Sequence, residues 1–256
     1  MTELSNADLV DAVEDVLSST LSLARTITEE QGRLPTDCPG WTVKDNLAHM
    51  VGLEQVLNGA PEPDVELPPL DHVKKDFDAY MERHIHIRRG LPVSAIADEL
   101  AGLLPRRIEG LRAAVAGGDP MVRGPFGESP LSQALPIRVF DLWAHEQDIR
   151  RALGMAARVD CLAAEIALDR SMLGWSRAIP KLLEGVDGVV EVARTGSTES
   201  TQPIQIGSGG EVVARIEGDL DALTRAFCGR GQHRADLLTG DAAVVDRLSG
   251  SLGLTP

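Results

Sequence analysis

The sequence predicts an α+β protein: an N-terminal up-down helical bundle over residues 1–182, followed by a small α+β module over 183–256. Three observations predict it. Apolar residues recur with a 3.6-residue period through roughly the first 180 residues. Short β-branched runs separated by Gly, Ser and Thr begin only after "KLLEGVDG". The 256 residues are 43% hydrophobic and 25% charged, which supports a real core and argues against wholesale disorder.

The first helix is "NADLVDAVEDVLSSTLSLARTITEE", with Leu9, Val13, Val16, Leu17 and Leu21 near one face and Asn6 as its N-cap. "LPTDCPGW" breaks the chain, and Thr42 then caps "VKDNLAHMVGLEQVL", with Asp45 three residues on. The Pro-rich "PEPDVELPPLD" is a connection. "DHVKKDFDAYMERHIHIRRG" and "SAIADELAGLLPRRIEGLRAAVA" read as helices, the second bent or ended near Pro105. "GGDPMVRGPFGES" reads as a loop, and Ser129 and Pro130 as the cap and first turn of a helix running to Gly154, with a kink at Pro136. "CLAAEIALDRSMLGWSRAI" is a further helix ending at Pro180, so the boundary between the two parts falls within 180–187. Beyond it, "VVEVAR", "TQPIQI" and "EVVARIEG" read as strands, "RADLLTG" as a short one, and "DLDALTRAFCG" and "DAAVVDRLSGSL" as helices.

Lys and Arg number 25 against 39 Asp and Glu, a net charge of −14, which argues against nucleic acid or an anionic membrane surface as partner. No apolar run is long enough to span a bilayer, and the acidic N-terminus is no signal peptide. Cys38, Cys161 and Cys228 form no CxxC pair and read as thiols of a reducing cytoplasm. Cys38 has no flanking base in the sequence and reads as passive.

"RVFDLWAHEQDIR" concentrates ionisable groups. At about 100° per residue, Arg138, Asp141, His145 and Asp148 fall on one helix face beside Ile137, Leu142 and Ile149. A charged face so close to apolar residues needs partners, and a divalent cation is one. Asp141 and His145, four apart, project in parallel and can converge on one ion. Taken alone, the pair reads sooner as an exposed acid–base pair than as a metal site. His49 sits inside an amphipathic helix and shares a face with Asn46, Leu53 and Val56, as a metal ligand or as a core histidine bonded to a carbonyl. His84 and His86, about 200° apart on a helix and flanked by arginines, read as solvated surface, as do His72 and His233.

"GWTVKDNLAHMVGLE" with "RVFDLWAHEQDIRRALG" resembles the mycothiol-dependent maleylpyruvate isomerase family. The resemblance carries a Trp-Thr pair opening a helix with a histidine seven residues on (Trp41, Thr42, His49), and an R-x-x-E-x-x-x-H-x-x-D pattern (Arg138, Asp141, His145, Asp148). It covers nearly the whole chain and implies a DinB-like bundle with a sterol-carrier-like C-terminal domain. It implies a metal held by His49, Asp141 and His145, with an open position for water or a thiol. Asp141 departs from the usual glutamate, its carboxylate being one methylene shorter.

Two imidazoles and a carboxylate suit zinc and admit other divalent ions. The resemblance further implies mycothiol as thiol cosubstrate and a small electrophile as second substrate, with isomerase or S-transferase chemistry in a cytoplasmic monomer or homodimer. Asp148 either orients an imidazole or pairs with a lysine or an exposed N–H. Arg138 either steers an anionic substrate or pairs with Asp141. Arg230, after a predicted C-terminal helix, either approaches the bundle site or neutralises a helix end. A metal-dependent hydrolase on the same bundle, and a non-enzymatic carrier of an apolar ligand, are the rival readings.

Overall fold

The computed structural model describes residues 4–124, 127–196, 200–231 and 234–254. His233 lies outside the described residues. The chain divides into two compact units, Met1–Ala157 and Arg158–Pro256.

In the first unit, α1 (Asn6–Ala24) starts one residue earlier than read: Ser5 is the N-cap, in a reciprocal capping box with Asp8. A one-turn helix, α2 (Glu29–Gly32), follows. Thr42 and Asp45 form the expected box at the start of α3 (Val43–Leu57). α4 spans Asp76–His86 and α5 Val93–Ala116. Pro105 does not end α5, which runs through it.

The segment read as a loop before the sixth helix is a two-stranded antiparallel ribbon, β1 (Met121–Gly124) with β2 (Gly127–Pro130). α6 (Leu131–Ala152) therefore begins after Pro130, with Ser129 in the ribbon instead of a cap. Asp119 does the capping from a distance: it accepts from the Ser132 N–H at 2.8 Å and the Ser132 hydroxyl at 2.7 Å. A strand pair of four residues carries too little periodicity to be read in sequence, so Ser129 and Pro130 resemble a helix start although they end a strand.

α1, α3, α5 and α6 make the bundle, α1 packing on α5 and α6, and α3 packing on the same two. Its core is aliphatic: Val13, Leu17, Leu47, Met50, Leu100, Leu103, Val139 and Leu142 are all buried. Each such side chain contributes roughly 1.5–3 kcal/mol relative to exposure.

The second unit opens with α7 (Leu162–Leu182). Its sheet has the order β4-β3-β5-β6, with β3 (Gly188–Arg194) antiparallel to β4 (Ser200–Ile206) and parallel to β5 (Val212–Gly218), and β6 (Leu238–Gly240) antiparallel to β5. α8 (Leu220–Phe227) and α9 (Ala242–Ser249) complete it.

The division between units thus falls before α7 and not near residue 182. α7 packs against α8, α9 and β4. The Trp175 indole N–H donates to the Leu252 carbonyl at 2.9 Å, and Arg194 forks onto both oxygens of Glu165 at 2.7 and 2.8 Å. Gly174 lets the Phe227 ring lie directly on the helix; a Cβ there would meet that ring at 2.2 Å. The helical period of α7 is the same whichever partner it covers, so composition could not assign it. No helix among the described residues is long and apolar enough to cross a membrane.

Candidate metal centre

The site is built where α3 and α6 face each other, under the turn that precedes α3. Pro39 and Gly40 occupy the two central positions of that turn, with the Trp41 N–H donating to the Cys38 carbonyl at 3.1 Å. Gly40 has φ +78°, and a Cβ there would strike the His72 ring at 2.3 Å. Proline sets the first dihedral and glycine supplies the second, as a type II turn requires. The turn drops Trp41 onto the histidines: its ring centroid lies 5.0 Å from that of His49 and 5.6 Å from that of His145.

His49 from α3 and His145 from α6 stand with ring centroids 4.6 Å apart. Asp141, one turn before His145, places Oδ2 at 3.6 Å from His49 Nε2 and Oδ1 at 3.5 Å from His145 Nε2. The three ligand atoms lie within 4.8 Å of one another. Both ring nitrogens of His49 are buried without a hydrogen-bond partner. A buried imidazole left in that state costs free energy, so it points to a missing partner. The donor set fits a divalent cation: two imidazoles, one carboxylate, and an orphaned nitrogen aimed at the same point. Asp141 is the open side, with 30% of its side chain exposed against 2% for His49.

Electrostatics divides the three groups. Burial pushes His49 down to about 4, against the pull of Asp141, so at neutral pH the ring is uncharged and one of its nitrogens keeps a lone pair. Burial disfavours the charge on Asp141, but Arg138 and the two imidazoles outweigh it and hold the carboxyl well below its usual range. His145 is driven well above the ordinary value: burial opposes its charge, and Cys38, Asp141 and Asp148 together overcome that.

Arg138 is fully engaged by protein. Its Nε donates to Glu54 Oε1 at 2.6 Å, Nη1 to Asp141, and Nη2 to the Met50 carbonyl at 3.2 Å. Glu54, wholly buried, also accepts from Arg107. Arg138 thus pairs with both Asp141 and Glu54. Asp148 is buried beside His145, its Oδ2 3.4 Å from Nδ1. That is long for a hydrogen bond. The partner at hydrogen-bond distance is Asn46, whose Oδ1 lies 2.8 Å from His145 Nδ1. Arg230 belongs to the other compact unit, where its guanidinium donates to the Cys228 carbonyl at 2.8 Å.

Three readings of individual residues change. Cys38 is not a bystander: it is buried, with Sγ 3.5 Å from Asp148 Oδ2 and 3.8 Å from His145 Nδ1. His84 is not surface. It is 0% exposed, edge-on to Tyr80 at 5.1 Å, and both of its nitrogens lack partners. The absent side chain of Gly52 makes room for it, since a Cβ there would meet His84 Cβ at 2.7 Å. His72 is half-buried, with Nε2 3.0 Å from Glu82 Oε2, which also accepts from the Trp41 indole at 3.2 Å.

Asn46 was signalled in sequence by its place on the His49 face, three residues before it. Cys38 was not, because its contacts span more than 100 residues of chain.

A family model described as the mycothiol maleylpyruvate isomerase N-terminal domain matches residues 13–150, more than half of the chain and the stretch that holds all three candidate ligands. The chain belongs to this family. The mycothiol maleylpyruvate isomerase family is an enzyme family, and the match takes in all of α3 and α6 as far as residue 150. A crystal structure of the mycothiol-dependent maleylpyruvate isomerase is similar in fold, with a TM-score of 0.63 over 89% of this chain and 90% of that one, at 16% identity. The crystal structure of a histidine-to-alanine mutant of that enzyme gives 0.59 over 99% and 95%, also at 16% identity. No curated protein sequence matches the chain.

Proposed function

We propose that this protein is a metal-dependent thiol transferase or isomerase that uses mycothiol as its thiol, with a small electrophile as second substrate. The observation that carries the metal is the buried, unpartnered His49 imidazole converging with His145 and Asp141. The identity of the thiol rests on family membership. His49, Asp141 and His145 would hold the ion, zinc being the ion this donor set suits. A divalent cation with three protein ligands lowers the pKa of a thiol bound at its open position, so that the thiolate is available at neutral pH.

The chain's own residues prepare that chemistry. His49 stays unprotonated because it is buried, so it offers a lone pair without first losing a proton. Arg138 holds Asp141 ionised and fixes its direction through a guanidinium that Glu54 anchors in turn. Trp41 covers both histidines and limits water on that side. Asp141 leaves the approach for substrates, being the least buried of the three. Among the described groups around the site, Cys38 is the protein's own candidate nucleophile; it lies on the Nδ1 side of His145, away from Asp141. An external thiol is therefore the nucleophile this reading requires. Thiol addition followed by bond rotation and thiol expulsion gives an isomerase; retention of the new C–S bond gives a conjugate.

The test is thiol consumption and product formation against a panel of electrophiles, maleylpyruvate included, with metal-loaded and chelated enzyme. Turnover that requires both metal and mycothiol is expected. Metal-dependent turnover that proceeds equally well without any thiol would overturn the proposal in favour of a hydrolase.

A further inference from the structure

His145 belongs to two overlapping ligand groups. Through Nε2 it joins His49 and Asp141; through Nδ1 it joins Cys38 and Asp148, whose ligand atoms also lie within 4.8 Å of one another. The second group contains a thiol and is fully buried. Thiolate is the softer ligand and the more attractive one to zinc and cadmium. Something must keep a cation out of it.

We propose that Asn46 makes this choice: its amide oxygen holds a proton on His145 Nδ1, which opens the His49–Asp141 group and closes the Cys38–Asp148 group. The inference rests on the metal reading given above.

The amide's orientation follows from its other partners. Asn46 Nδ2 lies 3.0 Å from the Thr42 carbonyl, which can only accept, so the NH2 end must face it. The same nitrogen reaches Thr36 Oγ1 at 2.9 Å, and that hydroxyl spends its own proton on the Trp41 carbonyl at 2.9 Å. With both acceptors on the nitrogen side, Oδ1 faces His145 Nδ1 at 2.8 Å. An oxygen acceptor there requires an N–H on Nδ1. The neighbouring acceptors are farther, Asp148 Oδ2 at 3.4 Å and Cys38 Sγ at 3.8 Å, and the Cys38 thiol is placed to donate to Asp148. A neutral imidazole has one N–H and one lone pair, so the lone pair is left on Nε2, toward Asp141. Because Asn46 is tied to Thr36 and Thr42, both flanking the Cys-Pro-Gly-Trp turn, the turn that places Cys38 and Trp41 also sets the imidazole's polarity. Asn46 is a positioning residue in this account; it touches neither cation nor substrate.

The experiment is a cobalt(II) titration of the full-length metal-free protein, read by optical spectroscopy. Native protein should bind one cobalt without a thiolate-to-cobalt charge-transfer band. Asn46→Leu, which removes the acceptor, should bind about 10- to 100-fold more weakly. It should also show the thiolate band as Cys38 gives its proton to the buffer and joins the ion. Asn46→Leu with Cys38→Ser should lose the band. Asn46→Asp, which keeps an acceptor, should show none.

A thiolate band in native protein overturns the proposal, as does its absence in Asn46→Leu at any affinity. Should Asn46→Leu fail to fold, imidazole 15N shifts of the native metal-free protein decide instead: a proton on His145 Nδ1 at every pH supports it, and a bare Nδ1 with the proton on Nε2 overturns it. Failure of the underlying metal reading is distinct, since native protein would then bind no stoichiometric cobalt, or bind it unchanged after His49→Ala.

Discussion

Replacing Arg138 by methionine separates a residue that builds the site from one that meets substrate. Glu54 is 0% exposed and takes hydrogen bonds from two guanidiniums, Arg138 and Arg107. Removing one partner of a buried ion pair costs about 3–5 kcal/mol, because the remaining charge stays buried. Arg107 still serves Glu54 in the variant, which places the cost near the lower end, about 3 kcal/mol. Asp141 also loses a partner, but its exposed side lets water compensate. At about 2–4 °C per kcal/mol for a chain of this size, the melting temperature should fall by roughly 6–12 °C.

Thermal and urea unfolding of metal-free protein would measure this loss, with Glu54→Gln and the double variant completing a cycle. The double variant should lose less than the sum of the two singles, since they share one interaction. The Arg138→Met protein should still bind one metal below its melting temperature. A melting temperature within about 2 °C of the native value, on the same conversion, would refute the argument that this network is structural.

Further expectations concern ligands, pH and the division of the chain. His49→Ala and His145→Ala should each abolish stoichiometric metal in elemental analysis. Asp141→Ala should lose most of it and Asp141→Glu should retain it; equal affinity for native and Asp141→Ala would remove the carboxylate from the site. Burial lowers the His84 imidazole to about 4 from an ordinary 6.5. The unfolded chain therefore takes up a proton that the folded chain refuses, so this part of the stability is complete above about 6.5 and lost as pH falls toward 4. His84→Leu should flatten the loss of urea-unfolding stability between pH 7 and pH 5, and parallel losses in the two proteins would count against it. A fragment of residues 158–256 should unfold cooperatively by circular dichroism, whereas 183–256, lacking Trp175 and Glu165 of α7, should not; cooperative unfolding of the shorter fragment would contradict the packing described for α7.

What the sequence determined by itself is what local physics can encode. The 3.6-residue period marked α1, α3, α5, α6 and α7, and the β-branched runs marked the sheet of the second unit, because each pattern is set by neighbours within a turn or a strand. The same period put Asp141 and His145 on one face of α6, and His49 with Asn46 on one face of α3, so the candidate ligands were legible one helix at a time. The tertiary structure alone decided what lies across from them. That Asn46, not Asp148, reaches His145 at hydrogen-bond distance, that Arg138 is held by Glu54, that Cys38 lies against His145 and that His84 is buried over Gly52 are all contacts between separate elements of the chain. The sequence reading places α7 with the bundle, whereas it packs on α8, α9 and β4, since an amphipathic face specifies that it must be covered and not by what. Backbone periodicity is a local property; the pairing of one buried polar group with another depends on how separate elements dock.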